Sequence, residues 1–215
     1  MTRRALVVVA VVLAVLLAFD TGMRFLAQYW VGRELKESLL LEERPGVSLG
    51  GFPFTVRLIA GTFPTVDVEA RGFQDASLRI QRIRVHLVDA SVPRRQLLSG
   101  SEGRIRARMG SGSAHLTGKD ATAAIQARGV PLRIRFEGDR ALVSVQELPG
   151  QVAARLSLSD DGRSIRVGAA DLPIAGAVSL PLPGIVRGLR YTDVRVEGGL
   201  LVVDFELSDV SFDVA

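Results

Sequence analysis

Apolar and polar residues alternate with a period of two through most of the chain after residue 46. The segment 66–71 alternates valine and alanine with charged residues. The same pattern recurs in five further segments: 104–109, 132–137, 151–158, 194–197 and 201–207. Short turn sequences such as Gly138-Asp139, Pro149-Gly150, Asp160-Asp161-Gly162 and Gly198-Gly199 separate them. Alternation joined by short turns predicts antiparallel strands with one dry face and one solvated face.

Two changes of parity predict that this sheet is curved. The buried parity changes across Gln81-Arg82 and again across Ser208-Asp209. A β-bulge is the simplest explanation of each change, and bulges curl a sheet. A sheet of about nine strands with one dry face should then wrap around something rather than lie flat.

The segment from Thr21 to about Glu43 has helical periodicity and ends at Pro45-Gly46. Its apolar positions are Phe25, Leu26, Tyr29, Trp30, Leu35 and Leu39. Two compatible interpretations remain open: an ordinary helix packed on the sheet, or an amphipathic helix that leaves the membrane and closes over an apolar groove. A short helix is also expected at Asp120–Arg128, stopped by Gly129.

The N-terminus carries an export signal or an anchor. Arg3 and Arg4 precede fifteen apolar residues, Ala5 to Phe19. A helix of fifteen residues rises about 22 Å, less than the ~30 Å of a bilayer core, which favours a secretory signal. The residues before Asp20 lack the small-x-small pattern of a cleavage site, which favours an uncleaved anchor, and both remain open. We expect residues 1–20 to be this signal or anchor and residues 21–215 to form one exported domain.

Composition excludes several classes of function. The absence of cysteine excludes disulfides and thiolate metal sites, and two histidines are too few for a histidine-rich metal centre. The net charge of +4 is too balanced to favour nucleic-acid binding. There is no nucleophile elbow, and Asp120 stands where a phosphate-binding loop needs Ser or Thr. We therefore expect no catalytic residues, no metal and no cofactor.

A curled sheet with so few helices has more apolar surface than its own side chains cover, so we expect an apolar ligand. The few aromatic residues cluster near the helix and the first hairpin, although each of them also suits the core. The residues expected to line the lipid site are Leu26, Trp30, Phe52, Phe54, Leu58, Phe63 and Phe136. Arg33 and Arg57 are expected near a headgroup. The arginine rows on the polar faces either gather anionic headgroups or are simply solvated.

Two passages carry a family resemblance. The first is Gly51-Phe52-Pro53-Phe54, followed by Leu58-Ile59-Ala60-Gly61 and the strand 66–70. The second is Leu180-Pro181-Leu182-Pro183-Gly184, which leads into 189–194 and the hairpin at 197–200. Together with the order of elements over residues 20–207, they resemble the LmeA-type phospholipid-binding family of actinobacterial envelopes.

The resemblance implies an α+β fold, a long curled antiparallel sheet wrapped around an N-terminal amphipathic helix, similar to tubular lipid-binding domains. It implies a non-enzymatic protein in the periplasm-like space, on the outer leaflet of the inner membrane, that carries or senses anionic phospholipid of the phosphatidylinositol type. It further implies support of lipomannan elongation, with an envelope glycosyltransferase as a partner. The alternative is a membrane-anchored structural or interaction protein that supports an envelope enzyme and has no lipid cavity.

Overall fold

The computed structural model describes residues 3–38, 41–75, 78–92, 103–145, 150–168, 178–184 and 187–214. Within these ranges the helices are α1 (Arg3–Ser38), α2 (Phe54–Ala60) and α3 (Gly118–Gln126). The strands of a first sheet are β1 (Gly46–Leu49), β2 (Thr62–Asp75), β3 (Leu78–Ser91), β4 (Gly103–Leu116), β10 (Leu189–Glu197) and β11 (Leu200–Val214). Those of a second sheet are β5 (Leu132–Glu137), β6 (Arg140–Val145), β7 (Val152–Leu158), β8 (Ser164–Gly168) and β9 (Val178–Pro181).

All strand pairs in both sheets are antiparallel, as the alternating pattern predicts. The first sheet has the order β1-β2-β3-β4-β11-β10, and the second has the order β5-β6-β7-β8-β9. The first sheet curls into a half-barrel, which confirms the predicted α+β class and the curled antiparallel sheet. The predicted turns at Gly138-Asp139, 160–162 and Gly198-Gly199 each join neighbouring strands, whereas Pro149 lies outside the described residues.

Helix α3 lies between the two sheets and fills one end of the core. Its buried residues Ala121, Ala124 and Ile125 contact β5, β3 and β9. Thr122 fixes the helix to β5, because its hydroxyl accepts the Ile134 N–H at 2.8 Å and donates to the Ile134 carbonyl at 3.1 Å. The sequence predicts that this helix begins at Asp120, whereas it begins at Gly118, because Thr117 caps its N-terminus.

The changes of parity occur where they are predicted, but they are not insertions of one residue. In β11, both Leu207 and Val210 are buried, and Asp209 between them has a φ of 48°. The pairs Ser208–Met109 and Val210–Ala107 keep the same register on either side of it. Across Gln81-Arg82, the register between β2 and β3 is likewise unchanged. The paired strands therefore kink together, so no extra residue is needed.

A register shift does occur elsewhere, in strand β10. Tyr191 pairs with Phe205 and Asp193 pairs with Asp204, so Thr192 is an extra residue. This bulge lies in the outermost strand of the first sheet, where bulges are common.

Helix α1 differs from the prediction in its end and in its position. It ends at Ser38 rather than near Glu43, and Leu39 lies outside the described residues. It continues without a break across Asp20. The sequence predicts a sheet wrapped around this helix, whereas α1 contacts strand β1 and helix α2 at one side of the sheet.

Candidate functional site

Helix α1 packs on the domain through one side, and its aromatic residues lie on the other side. Met23 and Ala27 pack against the core. Gly32 is buried, and a Cβ there would come within 3.0 Å of the Pro45 carbonyl oxygen, so a larger side chain would push the helix outward. The arginine that precedes Pro45 also holds the helix, because the Arg44 guanidinium lies 4.5 Å from the centre of the Tyr29 ring.

The outward face of α1 is apolar along most of its length. Val7, the segment 10–19, Phe25, Leu26, Tyr29 and Trp30 are exposed. The helix is long and apolar enough to cross a membrane, and it lies near the N-terminus. Four of the residues predicted to form the apolar face of this helix point away from the protein: Phe25, Leu26, Tyr29 and Trp30. The helix is therefore rotated relative to the prediction, which placed this face on the sheet or over a groove.

Helix α2 is tied to α1 by a single carboxylate. Asp20 Oδ2 accepts the Phe54 N–H at 2.8 Å, and Asp20 Oδ1 accepts the Thr55 N–H at 2.7 Å and the Thr55 hydroxyl at 2.8 Å. Pro53 stands at the N-cap of α2 and supplies no side-chain cap of its own. Asp20 therefore satisfies backbone donors that the short helix leaves unpaired.

Helix α2 has a buried apolar face and an exposed apolar face. Phe54 is only 1% exposed, and its ring lies 6.0 Å from that of Phe63 on β2. On the other side, Phe52, Val56 and Ile59 are 69%, 59% and 68% exposed. Val56 and Ile59 are three residues apart and therefore share one side of the helix, and Phe52 lies in the turn before it.

The structure separates the residues expected to bind lipid into two groups. Leu26, Trp30 and Phe52 are exposed, and Leu58 is half-buried. The remaining three, Phe54, Phe63 and Phe136, are buried in the core.

The two arginines expected near a headgroup are both exposed but differ in their partners. Arg33 pairs with Glu37 at 2.9 Å, and the hydrogen bond to Glu37 raises the pKa of Arg33. Arg57 forms no ion pair within the described ranges.

A band of half-buried apolar residues crosses the dry face of the first sheet. The band residues are Val47, Val66, Val68, Ile83 and Val85, on strands β1, β2 and β3. Val47 pairs with Val68, and Val68 pairs with Val85, so these three side chains stand in one row on one face. Helix α1 contacts β1, helix α2 contacts β2, and helix α3 contacts β3.

The opposite face of the same strands carries a polar groove of about 790 Å³ that extends from β1 to β10. Its lining takes in the polar residues on both sides of the Val47–Val68–Val85 row, among them Asp67, Glu69, Arg84 and His86. Because side chains alternate along a strand, we place these polar side chains in the walls and the backbone of the valine row in the floor. The walls of this groove therefore carry charged and polar side chains, in contrast to the band on the other face.

Polar side chains in the groove pair with one another across neighbouring strands. His86 Nδ1 lies 2.6 Å from Asp67 Oδ1, and Arg84 Nε lies 3.2 Å from Glu69 Oε2. Partial burial acts to raise the pKa of Glu69, but the hydrogen bond and charge of Arg84 hold it below its usual value. Among the described residues, no group of three His, Cys, Asp or Glu side chains could hold a metal ion.

Sequence reasoning missed Val56 and Ile59 on α2 and the band on β1–β3. Helix α2 has only seven residues, so helical periodicity could not identify it in the sequence. The alternation of β2 was evident, but it could not tell which valines stay half-buried.

The comparison with family models gives one match. A model described as LmeA-like phospholipid-binding matches residues 18–206. No curated protein and no solved structure matches the chain significantly. The match begins just before Asp20 and ends within β11, so it includes α2, the band and both sheets.

Proposed function

The chain belongs to the LmeA-like phospholipid-binding family, and from this premise we propose that it is a membrane-anchored envelope protein that holds a phospholipid without transforming it. The family is a lipid-binding one rather than a catalytic one. The N-terminal apolar helix is compatible with a signal or an anchor. We take residues 5–19 as an uncleaved anchor that leaves the folded domain on the outer face of the inner membrane.

The apolar band is the proposed place for an acyl chain. Its residues are half-buried, so a hydrocarbon chain laid along them would remove further apolar surface from water. Each buried methylene contributes about 0.8 kcal/mol, so a chain of ordinary length supplies ample affinity. The half-buried Val47–Val68–Val85 row is the observation that carries this assignment.

The proposed headgroup is anionic, of the phosphatidylinositol type. Arg57 is exposed and forms no ion pair within the described ranges, so its guanidinium is available to a phosphate. Arg33 lies further along α1 and would have to exchange Glu37 for the phosphate. The choice of this lipid class rests on the family resemblance and on these two cations.

The proposed pathway role is support of lipomannan elongation, through delivery or sensing of the lipid for an envelope glycosyltransferase. This role follows from the family resemblance. Its test is the lipoglycan profile of cells that lack the protein, complemented with the wild-type chain or with a variant that cannot hold lipid. The role is supported if the deletion strain makes shortened lipoglycans and only the wild-type chain restores their length. An unchanged lipoglycan profile in the deletion strain would contradict the role.

Uptake of labelled phospholipid by the full chain in nanodiscs tests the binding site. Val68→Trp fills the valine row and is expected to lower uptake several-fold. Asp67→Trp is the matched control, because it places the same bulk one residue away on the opposite face. Val85→Trp fills the same row from strand β3. A loss of uptake in both variants is then not explained by a folding defect that is specific to Val68→Trp.

Three outcomes of this experiment decide the matter. Loss of uptake in both valine variants, with uptake by Asp67→Trp unaffected, supports the band as the binding site of the acyl chain. Loss of uptake in Asp67→Trp alone would move the lipid to the polar groove and overturn the assignment. No uptake by the wild-type chain, and no lipid released from it in native mass spectrometry, would remove lipid binding altogether.

A further inference from the structure

The apolar outward face of α1 extends beyond the segment that the sequence marks as the anchor. Residues 5–19 rise only about 22 Å, which is short of the ~30 Å core of a bilayer. On the outward face, exposed apolar residues extend from Val7 to Trp30, a rise of about 36 Å. Asp20 and Arg24 interrupt this run in sequence, but both are only partly exposed, and Asp20 is bonded to α2. The outward face of α1 is therefore long enough to cross the hydrocarbon core of a bilayer, whereas the uninterrupted apolar segment 5–19 is not.

Aromatic and charged residues mark the far end of this face. Tyr29 and Trp30 are both exposed there, and aromatic side chains are enriched where helices leave the hydrocarbon core. Arg33, Glu34, Lys36 and Glu37 follow within two turns and are also exposed. The order of apolar, aromatic and then charged residues is that of a helix that leaves a bilayer near Trp30.

Helix α2 is held beside the part of α1 that would lie within the outer leaflet. The hydrogen bonds from Phe54 and Thr55 to Asp20 fix the N-terminus of α2 ten residues before Trp30. The exposed side chains of Phe52, Val56 and Ile59 flank these two residues in the sequence. Three large exposed apolar side chains are costly in water, and the apolar part of the outer leaflet would remove them from it.

We propose that two exposed surfaces together form a docking surface that sits in the outer leaflet of the membrane from which α1 emerges. The surfaces are the outward face of α1 at Phe25–Trp30 and the α2 side chains Phe52, Val56 and Ile59. The occupant is the phospholipid bilayer itself, because α1 enters it and Asp20 fixes α2 beside the part of α1 that lies in the outer leaflet. The proposal rests on the anchoring part of the proposed function and does not depend on a lipid in the band.

Site-specific labelling tests this surface cleanly because the chain has no cysteine. The full chain is reconstituted in nanodiscs of phosphatidylcholine and phosphatidylglycerol that carry a nitroxide at a shallow acyl position. Val56→Cys and Ile59→Cys are each labelled with an environment-sensitive fluorophore. Asp160→Cys is the control, since the Asp160 side chain is 89% exposed in the turn between β7 and β8. The single tryptophan, Trp30, reports on α1 without any substitution.

The expected result is blue-shifted emission and strong nitroxide quenching at Val56, Ile59 and Trp30, with neither at Asp160. Water-like emission at Val56 and Ile59, equal to that at Asp160, would overturn the proposal. Shielded labels that lipid nitroxides do not quench would also overturn it, because they would mean that a second copy or another protein covers the patch. Val68→Trp is expected to leave the signals of the labels at Val56 and Ile59 unchanged, so failure of the lipid site and failure of docking are distinguishable.

Discussion

Asp20 Oδ1 accepts two hydrogen bonds from Thr55, one from its backbone N–H at 2.7 Å and one from its hydroxyl at 2.8 Å. The two residues are 35 positions apart in the chain. One carboxylate therefore joins α1 to α2. In the proposed arrangement, this contact sets the depth of α2 in the outer leaflet.

Asp20→Ala is expected to loosen α2 without unfolding the sheets. The substitution removes the acceptor for the Phe54 and Thr55 N–H groups, and Pro53 offers no side chain in its place. Hydrogen exchange of these two amides should become at least several-fold faster, while exchange in β3 and β4 should not change. Glu34→Gln, on the exposed side of the same helix, is the control. Unchanged protection of Phe54 and Thr55 in Asp20→Ala would show that Asp20 does not hold the helix.

The two phenylalanines of the Gly-Phe-Pro-Phe motif are expected to behave oppositely. Phe54→Ala empties a buried site against Phe63 and should cost about 3–5 kcal/mol of stability. For a chain of this length, that loss lowers the midpoint of thermal unfolding by roughly 6–20 °C. Phe52→Ala, at an exposed position, should change stability by less than about 0.5 kcal/mol. Equal midpoints for the two variants in nanodiscs would contradict the assigned burial.

Gly112 is expected to tolerate no side chain. A Cβ there would lie 2.4 Å from both the Arg84 carbonyl oxygen and the Phe205 ring. Because the first of these atoms belongs to the backbone of β3, relief requires the strands to move, and Gly112→Ala should cost about 1–3 kcal/mol. Gly184→Ala is the matched control, since nothing lies within 4 Å of its Cβ position. Thermal unfolding measures both, and a neutral Gly112→Ala would show that β4 has more room than the structure gives it.

His115 is expected to make the fold less stable in mild acid. Burial, helped by the charges of Arg84 and Arg82, lowers the pKa of His115 below its usual 6.5. The unfolded chain therefore binds a proton near pH 6.5 that the folded chain does not yet bind. The free energy of unfolding should fall as the pH decreases through about 6.5, and it should level off once the folded His115 is protonated as well.

His115→Gln is the variant that checks this pH dependence. It should reduce the loss of stability between pH 7.5 and pH 5.5, whereas His86→Gln serves as the control for a histidine on the neighbouring strand β3. The lowered pKa of Glu69 belongs to a lower pH range and should leave this window unchanged. An identical pH profile for the wild-type chain and His115→Gln would remove His115 as the cause.

The amino-acid sequence by itself determined the strands, most of the turns and the presence of an N-terminal apolar helix. Period-two alternation is a local property, because each side chain is assigned to one face by its neighbours along the same strand. The family resemblance carried by Gly51–Phe54 and the proline-rich passage also depends on short local motifs, and the family match over residues 18–206 agrees with it.

The tertiary structure decided which apolar side chains face the core and which face outward. Phe25 and Trp30 are as apolar as Phe54 and Phe63, yet the first two are exposed and the last two are buried. Hydropathy cannot separate these cases, because a protein core and a lipid bilayer are both apolar surroundings. Contacts that are distant in the sequence, such as those of Asp20 with Thr55 and of Gly32 with Pro45, fix the rotation of α1 and so distinguish the two faces.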